Sequence, residues 1–254
     1  MYKYFPLLIP IFLLSYIDSD MDGVEDKDDL CPNTLITNLV DTTGCSIKSL
    51  ISPHHFSLTA GTSLAKDINS TYNFSTLELD YYYQNISLQL SSSYYNFKNT
   101  TLNENGINDT NLNFFYKFYP KENFMLTVAT GISFPTYYNS DNKTDYSTSI
   151  TGYYYLEDLS FSTGFGYKII GDTNSSNVFF YNINTGYTWN SKYYYSIGYY
   201  VSESIYNGIE NFKSIALYNH YSINKKLFTI LSLSKGLSNT SLDESIGVKL
   251  GYYW

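Results

Sequence analysis

From about Phe56 to the last residue, apolar side chains alternate with small or polar ones at a strict period of two. Phe56, Leu58, Ala60, Thr62 and Leu64 share one face, against Ser57, Thr59, Gly61 and Ser63. Leu159, Phe161, Thr163, Phe165 and Tyr167 likewise oppose Ser160, Ser162, Gly164 and Gly166. Period two is the signature of a strand with one greasy and one wet face, and about ten residues of tilted strand cross a bilayer. About twelve such segments follow one another, starting near residues 55, 72, 85, 111, 123, 146, 158, 177, 192, 212, 226 and 243.

The connections carry as much information as the strands. Short polar turns fall near Tyr83–Asn85, Pro120–Asn123, Leu156–Asp158, Asn190–Lys192 and Asn224–Lys225. Longer polar stretches alternate with them: Ala65–Thr71, Lys98–Thr110, Pro135–Asp145, Gly171–Ser176, Ser202–Asn211 and Gly236–Leu242. That rhythm predicts an all-β, transmembrane, up-and-down antiparallel β-barrel with tight periplasmic turns and larger external loops. An even strand number puts both barrel ends in the periplasm. The last segment alternates Ile246, Val248, Leu250, Tyr252 and Trp254 with Ser245, Gly247, Lys249 and Gly251, and stops on an aromatic residue. It resembles the C-terminal signal by which bacterial outer-membrane proteins are recognised for insertion. As the edge of a soluble sheet, so apolar a strand would invite aggregation. Tyr81–Tyr83, Tyr153–Tyr155, Tyr193–Tyr195 and Tyr252–Tyr253 suit the interfacial girdles, where a ring sits among headgroups with its hydroxyl in water.

Composition agrees. Aromatic residues make up 19% of the 254 and charged residues only 15%, where a soluble protein carries nearer a quarter charged. A net charge of −8 with no basic run excludes nucleic acid as the expected partner.

Ahead of the barrel, residues 1–17 pair Lys3 with an apolar run too short to span a membrane and interrupted by Pro6 and Pro10. They read as a secretory signal peptide. Residues 18–47 form an acidic segment. Asp18, Asp20, Asp22, Asp26 and Asp29 occupy positions 1, 3, 5, 9 and 12 of a calcium loop, with Gly23 at 6 and the Val24 carbonyl at 7. Alternate residues of a tight loop aim carboxylates inward, as a hard cation requires, so Ca2+ is the one expected cofactor. Two cysteines, Cys31 and Cys45, lie close together in an exported segment, which favours a disulfide. Closing so short a loop contributes roughly 3 kcal/mol at most.

The pattern DxDxDGxxDxxDxCPxT followed by VDxxGC resembles a thrombospondin type 3 repeat, in the bacterial form found beside the barrel of outer-membrane protein A-like proteins. The resemblance implies that Asp18, Asp20, Asp22, Asp26 and Asp29 are calcium ligands and that Cys31 pairs with Cys45. Residues 48–254 would then be the barrel, with the repeat on its periplasmic side.

With the apolar face toward lipid, the lumen candidates are Glu78, Asp80, Lys117, Lys249 and, where the alternation is less clean, His220. Asn182 and Asn184 join them. Such charges would bias which solutes enter, or Lys117 and Lys249 would pair with Glu78 and Asp80 and fill the bore. The expected function is a passive pore or structural envelope protein in the bacterial outer membrane, its partners lipid, calcium, small solutes or a periplasmic protein. The rival is an adhesion protein that uses the repeat or the loop Lys98–Thr110. An enzyme is not expected. Asn219, His220 and Ser222 evoke the residue types of outer-membrane phospholipases, but adjacent strand residues point to opposite faces.

Overall fold

The computed structural model describes residues 24, 26–31, 42–43, 54–137, 142–172 and 174–254. The chain divides into two units, Met1–Ser52 and Pro53–Trp254.

The second unit is one sheet of thirteen antiparallel strands. They are β1 (His54–Asp67), β2 (Ser70–Tyr83), β3 (Ile86–Asn99), β4 (Asn103–Ile107), β5 (Thr110–Lys121), β6 (Phe124–Phe134), β7 (Asp145–Leu156), β8 (Leu159–Ile169), β9 (Val178–Asn190), β10 (Tyr193–Ser202), β11 (Phe212–Ser222), β12 (Leu227–Gly236) and β13 (Glu244–Tyr253). Strands adjacent in sequence pair with one another except β4 and β5, which both pair with β3, and β1 closes on β13 from Ser57↔Tyr253 to Lys66↔Glu244. The seam ends in paired backbone bonds between Phe56 and Trp254, at 3.0 and 3.1 Å, with their rings stacked. Short β4 stands outside the ring. It pairs with the far end of β3, while β5 pairs with the near end, so β4 and β5 act as one broken strand. The result is a closed barrel of twelve strands, and no open edge is left along the wall.

Each expected start lies within two residues of an observed one. Two of the expected loops prove to be strand instead. β1 and β2 run on to a turn at Ile68–Asn69, and most of Lys98–Thr110 is the β3–β4 hairpin. Here the backbone ladder continues after the lipid-facing apolar pattern stops. Thr71, Asn73 and Ser75 point outward while Tyr72 and Phe74 point inward, so a search for outward grease ends too early. At two of the tight turns Gln84 and Glu157 take φ of 50° and 51°, the sign that two-residue hairpins favour at that position.

Packing is inverted relative to a soluble protein. Among the described residues the buried hydrophobics are Ala65, Val178, Val201 and Phe228, whereas Leu77, Ile183, Val248 and Leu250 are each more than half exposed. So much outward apolar surface is stable only against acyl chains.

In the first unit, Asp29 Oδ1 accepts the Cys31 amide at 2.8 Å, and the Leu30 amide donates to the Thr43 carbonyl at 2.9 Å. Cys31 is disulfide-bonded. The signal segment 1–17, Asp18, Asp20, Asp22 and Cys45 lie outside the described residues.

Candidate functional site: the barrel lumen

Alternation along each strand decides what lines the lumen. β2 turns Glu78, Asp80 and Tyr82 inward, and β1 turns Ser57, Thr59 and Gly61 inward. Asp80 is 6% exposed and lies beside Ser57, which is 2% exposed. The Ser57 hydroxyl donates to Asp80 Oδ2 at 2.8 Å, and Gln89 Nε2 donates to Oδ1 at 3.0 Å. Asn113 extends the chain to Gln89 at 3.4 Å. Asp80 is thus held by neutral donors. Lys249, from β13, takes Glu78 at 3.7 Å instead.

Lys117 faces the lumen from β5, and no carboxylate lies within 4.0 Å of it among the described residues. The expectation that both lysines pair with both acids therefore holds for one couple, Lys249–Glu78. A second pair lies at the long-loop end. Lys168 meets Asp145 at 2.7 Å, and Asp145 also accepts the Gly171 amide. Beside it, in the loop after β8, the Asn174 amide and Ser175 hydroxyl hold the Asp172 carboxyl below its usual range. Asn184 donates to both Asn182 and Ser162 on the inner wall.

His220 points inward from β11 and stacks on Phe228, ring centres 5.1 Å apart. Asn219 lies in register with outward Tyr195, on the opposite face. The three residues that evoke a hydrolase are not brought together. His54 sits on the rim, its Nδ1 2.6 Å from the Tyr81 hydroxyl.

The tyrosine clusters divide between the lipid girdle and the lumen. Tyr81, Tyr83, Tyr154, Tyr193, Tyr195 and Tyr252 face outward, while Tyr82, Tyr153, Tyr155, Tyr194 and Tyr253 face inward. The inward group forms a belt near the short-turn end. Tyr82 lies close to Ser57 and to Tyr253, which packs on Phe228 at 4.7 Å. Tyr253 neighbours Tyr218, whose ring is 6.5 Å from Tyr194. Tyr194 in turn lies near Tyr153, and Tyr155 near Tyr119. Tyr194 reaches across β9 because Gly186 leaves its place empty, and its hydroxyl comes within 3.2 Å of Ser160. Phe228 uses Gly251 in the same way. Period two applied inside each cluster would have separated belt from girdle.

At the other end Tyr72, Phe74, Tyr95, Phe97 and Tyr137 surround a cavity of about 310 Å³ that also includes Glu104 and Asn108.

Residues 46–252 match the family described as "Putative MetA-pathway of phenol degradation". The chain belongs to that family. Solved structures share the barrel. An outer membrane channel from Pseudomonas putida F1 superposes with a TM-score of 0.67 at 13% identity, covering 79% of this chain and 95% of that one. The NanC porin gives 0.55 at 12% identity, over 78% of this chain and 98% of that one. The KdgM porin gives 0.52 at 14%, over 77% and 98%. Nothing among the curated proteins matches the chain. The protein is a barrel of the bacterial outer membrane.

The family match overturns the thrombospondin type 3 reading. It covers the barrel, and no thrombospondin repeat is shown in the chain. The physical reason is that the Asp spacing describes only how carboxylates converge in a short loop, which acidic loops outside that repeat share.

Proposed function

We propose that the barrel is a passive pore for small solutes. The carrying observation is the inner wall itself: a closed ring whose polar lining of serine, asparagine and paired charges carries one belt of inward tyrosines. Polar wall groups replace part of a solute's hydration, and the belt sets the size and shape that pass. Ring faces and hydroxyls together suit compact solutes with an aromatic or hydroxylated body. The family's description, which names phenol degradation, and the similar channel and porins support that reading.

Reconstitution into planar bilayers and liposomes tests it. Discrete conductance steps and solute-driven swelling by phenol-sized compounds are expected. Silence in both assays, from protein with the heat-modifiable mobility of a folded barrel, would reject the pore.

The acidic loop carries a separate proposal, that Asp18, Asp20, Asp22, Asp26 and Asp29 with the Val24 carbonyl bind calcium. The spacing supports it. Asp29 spends Oδ1 on the Cys31 amide, which leaves Oδ2 for a cation. Calcium would neutralise the crowded carboxylates and order the loop as it binds.

A further inference from the structure

The long-loop end of β2 and β3 reverses the polarity of the wall below it. Down in the membrane, lipid-facing Leu79, Leu88 and Leu90 alternate with inward Glu78, Gln89 and Ser91. Higher up, Asn73, Asn96 and Lys98 face out while Tyr72, Phe74, Tyr95 and Phe97 face in. Polar residues outside fit a wall that has left the bilayer. The inward rings have no such explanation, because the mouth of a pore is wet and apolar surface there is costly.

They are held as a built hollow. Tyr72 packs on Phe97 at 4.9 Å and on Phe74 at 6.1 Å, and the Tyr95 ring meets that of Tyr137 at 5.8 Å. Tyr137 comes from a different loop and is fastened in place. Its amide donates to Asp109 Oδ1 at 3.1 Å, and the Asn142 amide group bridges Asp109 and the Tyr137 carbonyl at 2.7 and 3.0 Å. Register then sets Glu104 opposite Phe97, at the edge of the same cavity of about 310 Å³. No cation lies within 4.0 Å of Glu104 among the described residues.

Electron-rich ring faces around a hollow, with one uncompensated carboxylate at its edge, attract a positive charge by quadrupole and Coulomb terms together. A neutral aromatic gains only the stacking part. We propose that this external hollow captures small organic cations, amines or quaternary ammoniums with an apolar body, before they enter the lumen. The inference deepens the pore reading by naming a solute class, and it depends on that reading only for what happens after capture.

The test is equilibrium binding to the full chain in detergent micelles by titration calorimetry, with benzyltrimethylammonium as probe and benzyl alcohol as its neutral counterpart. The cation should bind about tenfold more tightly. Glu104→Gln should remove most of that preference, and Tyr137→Ala should weaken the cation several-fold. Glu104 is exposed, so its variant folds as the parent does, checked by heat-modifiable mobility. Equal binding of the two probes, an unaltered preference in Glu104→Gln, or no binding at all would each overturn the proposal. Conductance is read separately. A silent barrel that still prefers the cation refutes the pore and keeps the capture site, while a conducting barrel without the preference does the reverse.

Discussion

Tyr194 on β10 lies over Gly186 of the adjoining strand, so that a Cβ on Gly186 would overlap the Tyr194 hydroxyl. The empty place on one strand lets the ring of another lie along the wall rather than project into the bore. Gly186→Ala should push Tyr194 toward the axis, at a cost of about 1–3 kcal/mol for overpacking. Single-channel conductance is expected to drop by half or more, and the double variant with Tyr194→Ala should recover it.

Among the described residues no lysine pairs with Asp80, and its carboxylate is held by Ser57 and Gln89. Asp80→Ala leaves both donors unsatisfied in a nearly dry place and should destabilise the barrel by about 1–3 kcal/mol, read from urea unfolding in detergent. The same variant removes a negative charge from the lumen. Reversal potentials in a salt gradient should shift toward anions, whereas Ser57→Ala should lower stability without that shift.

Leu79 faces lipid between Leu58 and Leu90. Leu79→Arg should cost about 2–4 kcal/mol near mid-bilayer. Ser91→Arg, one strand away but facing Glu78 in the lumen, should be tolerated. Refolding yields into lipid vesicles compare the two, and equal losses would contradict the inside-out assignment.

For the acidic loop, Asp22→Ala should weaken calcium uptake by the full chain at least tenfold, on the expectation that position 5 supplies a direct carboxylate ligand. Barrel folding, followed by heat-modifiable mobility, should be unchanged. Calorimetry that finds no calcium uptake by the parent protein would remove the site.

Much of the fold was legible from residue order. The twelve strands of the ring start within two residues of where alternation and turn chemistry put them, since lipid on one side and water on the other impose period two on every strand. The inward phase of Glu78, Asp80, Lys117 and Lys249 follows from the same rule. Where lipid contact ends, the rule loses its cue, which is why the β3–β4 hairpin read as a loop.

Partners are another matter. Sequence periodicity tells which way a side chain points, because pointing is local backbone geometry. It does not tell which strands stand opposite, because that depends on register and closure around the ring. Only the closed structure could bring Lys249 to Glu78 and not to Asp80, lay Tyr194 across Gly186, or gather rings from β2, β3 and the loop after β6 around one carboxylate. The alternation written into the chain determined a cylinder; the way that cylinder closes decided what its interior can hold.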